Sequence, residues 1–387
     1  MLTSKIKNLF PFVFVLILVS LGCRNENQPE QSEQPIVLGA IYNLTGNQAA
    51  LDIPSSRGAV LAVEQANASG QDVYLALKDG QTDADVLKAK TLEILDEHPS
   101  TAAFLGLSDT DQVLAAAGPA ADNQRVFLTS GATSPQLPAQ VPDYLFLACF
   151  GDNVQAAAAA EWAYGELEAR TVSVVYNSSE TYTNLLQGYF ISRFEQLGGE
   201  VVAKQAYQEG NMAQAIQGIQ PADFIFFSAL PQDALEGVQM IRQAGFDVPI
   251  IGGDAFDAPA TWQGHKEVEG VFFTTHAYLG ADNPNPQVQA FRQAYMQAYA
   301  GEEPNAFAAL GYDAARLLIR AAQDAKSQDP EDVRQALASI RGFEGVTGTI
   351  SYGPDSRIPR KSVTIMEIKD SRQVFAAQLA PEEVPVP

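Results

Sequence analysis

The sequence predicts an α/β protein with two doubly wound lobes, in which helices cover parallel sheets. Strand-length apolar runs alternate with helical segments from residue 36 onward, a pattern typical of repeated β-α-β units. The alternation pauses after residue 129 and starts again at residue 144, which indicates two sets of units. A chain of 387 residues also exceeds what one hydrophobic core usually supports, and it fits two lobes of ordinary domain size.

The first set of units lies between residues 36 and 129. Its helices carry an apolar stripe: Ala59, Ala62, Val63 and Ala66 fall on one face of the first predicted helix. We predict strands at 36–42, 73–77, 102–105 and 126–129, and helices at 55–68, 84–97 and 112–123. Their alternation predicts a parallel sheet with crossover helices.

The second set begins with an apolar run that we read as its first strand. We predict strands at 144–150, 171–176, 201–205, 224–228, 249–252 and 271–275, separated by helices at 154–167, 182–197, 212–219 and 232–244. After the last of these strands we predict helices at 286–299, 305–325 and 330–340, and a closing hairpin of strands 363–369 and 373–377. The strands and helices between 144 and 252 are predicted to form a second doubly wound lobe.

Residues 1–22 are predicted to be a signal peptide and to stay outside the fold. Two lysines precede an apolar run over 9–21. A helix of that length rises about 20 Å, short of the ~30 Å hydrocarbon core of a bilayer. The run ends at Leu21-Gly22-Cys23, which is similar to a bacterial lipobox. We therefore expect Cys23 to carry lipid and to anchor the chain outside the cytoplasm; an ordinary signal peptide with a chance cysteine is the alternative.

The composition of two further segments predicts little structure. Residues 23–35 are polar and contain proline, which suits a flexible tether, and residues 381–387 are expected to form a tail. If Cys23 is lipidated, Cys149 has no disulfide partner. Because Cys149 lies in an apolar run, we expect a buried, inert thiol.

Several function classes lack their sequence signals. A net charge of −22 argues against nucleic-acid binding, which needs a basic surface. The histidines His98, His265 and His276 have no metal-ligand spacing, so we expect no metal site. Glycine-rich dinucleotide, phosphate-loop, nucleophile-elbow and zinc-protease motifs do not occur, so we expect no cofactor and no catalytic residues. These observations favour binding over catalysis.

Polar loops follow the strands of the first set, where ligands bind in open α/β sheets. The loops at 43–51, 105–110 and 130–135 are rich in hydroxyl groups and glycine, and each precedes a helix or turn. Hydroxyls and free backbone N–H groups at helix starts suit an anionic group such as a carboxylate. The alternative for any one loop is that its Ser, Thr and Asp side chains only cap helices. Two such loops in consecutive crossovers favour a ligand.

Six motifs, taken in order, resemble the leucine/isoleucine/valine-binding protein family, the type I periplasmic binding proteins of branched-chain amino acid ABC transporters. The motifs lie at 36–46, 57–67, 78–83, 130–135, 198–202 and 309–314. The resemblance covers nearly all of the chain after the tether. It implies two Rossmann-like lobes joined by three hinge crossovers that close on a ligand.

The resemblance also implies where the lobes divide. The crossovers fall near 149–152, near 275–278 and near Tyr352. Lobe 1 is then 36–149 plus 278–351, and lobe 2 is 150–277 plus 352–380. Such proteins act as monomers outside the cytoplasm and deliver their ligand to a membrane permease.

Ligand contacts carried over from the family fall on both lobes. The implied ligand-binding residues are Thr110, Gly131, Ala132, Thr133, Tyr182 and Asp254. Thr110 corresponds to a carboxylate-binding hydroxyl, and Thr133 to the threonine that bridges carboxylate and ammonium. The Gly131 carbonyl and the Asp254 carboxylate would receive the ammonium, and Tyr182 would cover the ligand. Leu51 stands where the family commonly has an aromatic residue, so the wall beside the ligand side chain is changed.

The function that we predict is capture of a small amino acid, branched-chain or related, for an ABC transporter. The first alternative is a receptor that senses an amide, urea or a small organic acid, because the same fold serves receptors. The second alternative is an enzyme working in the cleft.

Overall fold

The computed structural model describes residues 35–353 and 356–387. The predicted signal peptide, Cys23 and all but the last residue of the predicted tether lie outside these residues. Within the described ranges, no helix has the length and apolar character needed to cross a membrane.

Lobe 1 is built on a five-stranded parallel sheet with the order β2-β1-β3-β4-β5. Its strands are β1 Ile36–Tyr42, β2 Val73–Asp79, β3 Ala103–Gly106, β4 Val126–Thr129 and β5 Leu145–Leu147. Its first helices are α1 Ala49–Ala68, α2 Ala84–Glu97, α3 Thr110–Asp122 and α4 Leu137–Gln140. The strand order reverses between β1 and β3, so the loops after these strands border the crevice in which such sheets bind ligands.

Three later helices complete lobe 1. They are α10 Pro286–Ala298, α11 Ala306–Asp324 and α12 Pro330–Ser339, followed by a hairpin of β11 Phe343–Gly345 and β12 Gly348–Ile350. Helices α1 and α11 approach closely: a Cβ at Gly58 would lie 1.9 Å from the Ala308 carbonyl oxygen. Leu317 and Leu318 share a buried core with Leu38 of β1. The second half of the chain therefore returns to cover the first sheet.

Lobe 2 is built on a seven-stranded sheet with the order β14-β13-β10-β9-β8-β6-β7. Its strands are β6 Thr171–Asn177, β7 Glu200–Tyr207, β8 Phe224–Ser228, β9 Ile250–Gly252, β10 Val271–Thr275, β13 Val363–Lys369 and β14 Arg372–Leu379. Its helices are α5 Asp152–Gly165, α6 Thr181–Gln196, α7 Met212–Gln217, α8 Pro231–Gln243 and α9 Pro259–Trp262. Strands β6 to β10 are parallel, whereas β13 and β14 form the antiparallel edge.

The strand predicted at 144–150 belongs to the other sheet. We assigned it to the second set of units, but β5 pairs with β4 in lobe 1, and residues 148–150 leave the strand and lead towards α5. An apolar run indicates burial but carries no information on which sheet buries it, so the assignment from the repeat pattern was wrong, whereas the boundary implied by the family resemblance had placed residues up to 149 in lobe 1. The first helix also begins at Ala49 rather than at 55, with Pro54 inside it.

The chain passes between the two sheets three times, and the passages pack against one another. The hydroxyl of Tyr352 donates to the Leu147 carbonyl at 2.9 Å. The buried ammonium of Lys361 donates to the Ala148 carbonyl at 3.2 Å and to the Thr347 hydroxyl. These bonds tie the third passage to the first.

The predicted tail, residues 381–387, lies along lobe 2. The Glu382 N–H donates to Glu161 at 2.8 Å, and Glu383 pairs with Arg193 at 2.7 Å. Asn153 donates to the Pro385 carbonyl at 2.9 Å. These contacts join the tail to helices α5 and α6.

Candidate ligand-binding site

A small cavity lies between the two lobes. Its volume is about 20 Å³, so the two lobes leave little free space between them. Its lining residues are Gln48, Leu51, Ser108, Asp109, Thr110 and Thr133 from lobe 1, and Tyr182, Leu230, Asp254 and Ala255 from lobe 2. The cavity therefore has one wall from each lobe, and it borders the reversal in strand order of lobe 1.

The lobe 1 wall carries hydroxyl groups at the start of α3. Glycine is required at 106, because a Cβ there would lie 1.7 Å from the Ile41 carbonyl oxygen and φ is +140°. The chain then turns, and Asp109 caps α3 by accepting from the Gln112 N–H at 2.8 Å. The Thr110 hydroxyl is buried and has no hydrogen-bond partner in the structure, whereas the buried Ser108 hydroxyl lies beside the Asp52 carboxyl. Buried hydroxyls are normally paired, so the Thr110 donor points to a ligand that accepts hydrogen bonds.

The next loop supplies Thr133. It follows β4, and the Thr129 hydroxyl shapes it by donating to the Leu107 carbonyl at 2.8 Å. The Thr133 carbonyl accepts from the Asp152 N–H at 2.7 Å, which joins this loop to the start of α5. Gly131 and Ala132 do not line the cavity. The Ala132 side chain is buried in the core of lobe 1, and its carbonyl accepts from the Cys149 thiol at 3.3 Å.

The lobe 2 wall presents a carboxylate. Asp254 begins a short 3-10 turn after β9 and is 3% exposed. Its Oδ1 accepts from Gln155 Nε2 at 2.7 Å and from the Tyr182 hydroxyl at 2.8 Å. Its Oδ2 lies 3.0 Å from His276 Nε2. Four groups from separate elements, the turn, α5, α6 and the segment after β10, therefore form one network.

Burial sets the charge state of the groups around the cavity. It raises the pKa of Asp52 and of Asp109 to about 7. Burial, and then the charge of Asp254, raise the pKa of Asp152 to about 8. Burial lowers the pKa of His276, so its ring is neutral at pH 7 and donates through Nε2–H. No lysine or arginine lines the cavity, so nothing there offsets these carboxyl groups.

The lobes touch on both sides of the cavity. On one side the Thr181 N–H of lobe 2 donates to Asp111 Oδ2 of lobe 1 at 2.8 Å. On the other side the Asn305 side chain donates to the Asp257 carbonyl at 3.0 Å, and the Ala306 N–H donates to the Asp257 carboxylate at 3.2 Å. The structure is therefore a closed arrangement of the lobes.

The structure brings together most of the residues singled out from the sequence. Leu51, Thr110, Thr133, Tyr182 and Asp254 all line one cavity. The sequence did not indicate the network partners Gln155 and His276, or the second hydroxyl at Ser108. Of these three residues, only Gln155 has a weak signal in the sequence, because it is a polar residue in an alanine-rich helix.

A metal site has no support in the described part of the chain, where no group of three or more His, Cys, Asp or Glu side chains is placed to hold an ion. The cavity instead offers hydroxyl donors and the Asp109 carboxyl on the lobe 1 wall, and the Asp254 carboxylate on the lobe 2 wall. Such an arrangement suits a small molecule with a negative and a positive end.

The sequence and the fold of this chain are both similar to those of known proteins. Residues 35–373 match the family model described as periplasmic binding protein. A Leu/Ile/Val-binding protein homolog from Brucella melitensis is 23% identical over 336 residues, which cover 84% of this chain and 88% of the relative.

Two solved structures are similar over nearly their whole length. The leucine binding protein LivK from Thermotoga maritima has a TM-score of 0.81 and 29% identity, covering 90% of this chain and 99% of its own. The branched-chain amino acid transporter substrate binding protein LivJ from Streptococcus pneumoniae, in complex with isoleucine, has a TM-score of 0.82 and 25% identity. That match covers 90% of this chain and 100% of the other.

Proposed function

Because this chain belongs to the periplasmic binding protein family, in the group of the leucine/isoleucine/valine-binding proteins, we propose that it captures a small amino acid and delivers it to an ABC transporter. The observation that carries the proposal is the polarity of the cavity. The unpartnered Thr110 hydroxyl lies on one wall with the Ser108 hydroxyl near it, and the Asp254 carboxylate lies on the other. A zwitterion needs donors at one end and a negative acceptor at the other.

Each end of the ligand has its own partners in this proposal. The ligand carboxylate accepts from Ser108 and Thr110 at the start of α3, where helix N–H groups favour negative charge. The ammonium donates to Asp254, whereas Gly131, which does not line the cavity, makes no contact with it. Thr133 lies between the two ends. A carboxylate offers about four acceptor sites, and Asp254 uses three, so one remains for the ligand.

The ligand side chain would face the apolar part of the cavity. Leu51 from lobe 1 and Leu230 and Ala255 from lobe 2 line it, and Tyr182 covers it. The relatives named for leucine, isoleucine and valine support an aliphatic, branched-chain ligand. A leucine at 51 in place of an aromatic ring is compatible with such a side chain.

Closure of the lobes is part of the proposal. Groups from both lobes contact the ligand, so only the closed arrangement makes all the contacts, and the ligand shifts the population towards it. The lobe boundaries are proposed as 36–149 plus 278–351 and 150–277 plus 352–380, with the crossovers as hinge. In this proposal, capture and delivery of the ligand require no chemical reaction and no cofactor.

We also propose that Cys23 anchors the protein to a membrane, outside the cytoplasm and beside a permease. The lipobox-like sequence supports this, although Cys23 lies outside the described residues. Stable anchoring takes about two lipid signals, which a multiply acylated cysteine provides. Cys23→Ser is expected to release the protein into the soluble extracytoplasmic fraction or to block its processing. A variant that matures normally and stays on the membrane contradicts the anchor.

A thermal-shift screen tests the ligand class. The panel contains the twenty amino acids, their amides, urea and small organic acids. A ligand at about 100 times its Kd adds about 2.7 kcal/mol to the free energy of unfolding. We expect aliphatic amino acids to give the largest shifts. Stabilisation by neutral amides, urea or organic acids, with none by amino acids, favours the sensing receptor instead.

A further inference from the structure

His276 occupies an unusual position beside the candidate site. It follows β10 directly, where the chain leaves lobe 2, and its side chain is fully buried. Its Nε2 lies 3.0 Å from Asp254 Oδ2. Its ring stacks on Phe150 of the first passage, with centroids 4.0 Å apart, and meets the edge of Phe307 in α11 of lobe 1 at 6.0 Å. One ring therefore contacts the candidate ammonium acceptor, the first passage between the lobes and a lobe 1 helix.

Few charged groups surround this ring. The turn after β9 contributes Asp254, and the third passage contributes the buried Lys361. In addition to burial, the charge of Asp254 raises the pKa of Asp152 at the start of α5, of Tyr182 in α6 and of Cys149 in the first passage. The stacking partners Phe150 and Phe307 carry no charge. The proton on Nε2 is thus shared with one carboxylate oxygen, and the buried Nδ1 has no partner in the structure.

We propose that His276 is a positioning residue for ligand capture: its neutral ring holds Asp254 Oδ2 towards the cavity, and a protonated ring competes with the ligand ammonium for that carboxylate. The inference rests on the proposed function, since it requires a ligand with an ammonium group. It adds to that function a residue that does not line the cavity and a dependence on pH.

The sign of the pH dependence follows from the charges. A protonated His276 ring next to Asp254 neutralises the carboxylate that the ligand ammonium needs. Protonation of the ring therefore weakens ligand binding, and ligand binding disfavours protonation by the same factor. Burial keeps the pKa of His276 below its ordinary value of 6.5, with Lys361 acting in the same direction and Asp254 opposing them. Affinity is therefore unaffected by this group at pH 6.5 and above. It falls once the pH drops through the lowered pKa of His276, by at most about tenfold per pH unit for one proton.

Two variants separate positioning from packing. In His276→Gln the amide can still donate to Asp254 but does not titrate. In His276→Leu the donor is lost while an apolar side chain fills the space. His98→Gln is the matched control, because His98 lies in lobe 1 against Tyr74. Calorimetry measures the Kd of each protein for isoleucine and for the amino acid with the largest thermal shift, from pH 5 to pH 8.

We expect His276→Leu to bind about 10- to 100-fold more weakly at pH 7.5, the size expected for one lost donor to a charged group. We expect His276→Gln to bind within about threefold of the wild type at that pH, and to lack the weakening of binding at acid pH that the wild type and His98→Gln show. Native affinity in His276→Leu, or an unchanged acid limb in His276→Gln, overturns the inference and leaves the proposed function standing. No binding of any amino acid by the wild type overturns the proposed function, and the inference with it.

Discussion

The two walls of the cavity differ in chemistry and in how the chain builds them. The lobe 1 wall carries three hydroxyls and the Asp109 carboxyl in two short loops, each directly after a strand of one sheet, and the Thr110 hydroxyl has no protein partner. The lobe 2 wall centres on one carboxylate that accepts from α5, α6 and the segment after β10. Leaving a buried hydroxyl unpaired costs modest free energy, whereas burying a charge costs much more unless several groups hydrogen-bond to it. This difference explains why the groups of the lobe 1 wall lie close together in the sequence, whereas the groups around Asp254 come from distant segments.

The difference also separates the roles of the walls. The lobe 1 wall gains most from a ligand, because its buried hydroxyls acquire acceptors. The lobe 2 wall is already held in shape, so it contributes charge at a fixed position. Each of the following measurements acts on one wall while leaving the other intact.

The largest effect is expected from the lobe 2 wall. Asp254→Ala leaves a buried ammonium unpaired, which costs about 2–5 kcal/mol, or roughly 30-fold to several thousand-fold in affinity. Asp254→Asn keeps the shape but loses the charge, so calorimetry should find a comparable loss for an amino acid.

Asp247→Ala, an exposed acid of lobe 2, serves as the control and should bind normally. Near-native affinity in Asp254→Ala would remove Asp254 from the site. If only Asp254→Asn binds well, the ligand is a neutral amide or urea rather than an amino acid.

A smaller loss is expected from the lobe 1 wall. Thr110→Val keeps the volume of the side chain and removes the hydroxyl, which should weaken binding about 10- to 100-fold if the hydroxyl donates to a carboxylate. Thr110→Ser should restore most of the affinity, because it returns the donor without the methyl group. Equal binding by the valine and serine variants would show that Thr110 only packs against the start of α3.

Closure of the lobes on the ligand can be compared between a variant of the lobe 1 wall and a variant of the lobe 2 wall. We expect small-angle scattering to show a smaller radius of gyration when the wild type is saturated with ligand. Thr110→Val at saturating ligand should still contract, since the lobe 2 carboxylate still draws the ammonium. Asp254→Ala should stay close to the ligand-free curve. A wild-type curve that does not change at saturation contradicts a site shared by two lobes.

The smallest effect concerns stability, through a carboxyl behind the lobe 1 wall. The Asn43 N–H donates to Asp52 at 2.8 Å, and burial raises the pKa of Asp52 to about 7 from an ordinary value of 3.8. The folded state therefore prefers the protonated form. Stability from this group is complete below about pH 4 and is lost as the pH rises through 7.

Asp52→Asn cannot ionise, so its melting temperature relative to the wild type should rise between pH 5 and pH 8.5, by a few degrees as an order of magnitude. The variant Asp72→Asn, at an exposed position of lobe 1, provides the control. A constant difference in Tm across this range would show that Asp52 does not titrate there.

Much of the fold could be read from the chain. The strands β1, β4, β8, β10 and β13 and the helix α2 have the predicted bounds, because apolar runs and helical periodicity report burial directly. The membership of β5 could not be read, since pairing with β4 depends on where the two segments meet. The hairpin β11–β12 was also missed, because its strands are only three residues long.

The residues of the candidate site also fall into those that could be predicted from the sequence and those that could not. Thr110 and Thr133 lie in loops after strands, where the topology of a doubly wound sheet predicts ligand contacts. Tyr182 and Asp254 came from the resemblance to the family, and the structure places both on the cavity wall. Gln155 and His276 escaped notice, because each is separated from Asp254 along the chain and only folding brings them to one carboxylate.

The sequence alone determined the class of the fold, the order of its elements and the loops that carry hydroxyl donors, because these follow from local periodicity and from the position of a loop after a strand. The tertiary structure decided which sheet holds β5, which groups surround Asp254 and which protonation states burial favours at Asp52, Asp109, Asp152 and His276. Hydrogen-bond partners and desolvation depend on distances between residues remote in sequence, and the packing of the two lobes sets those distances.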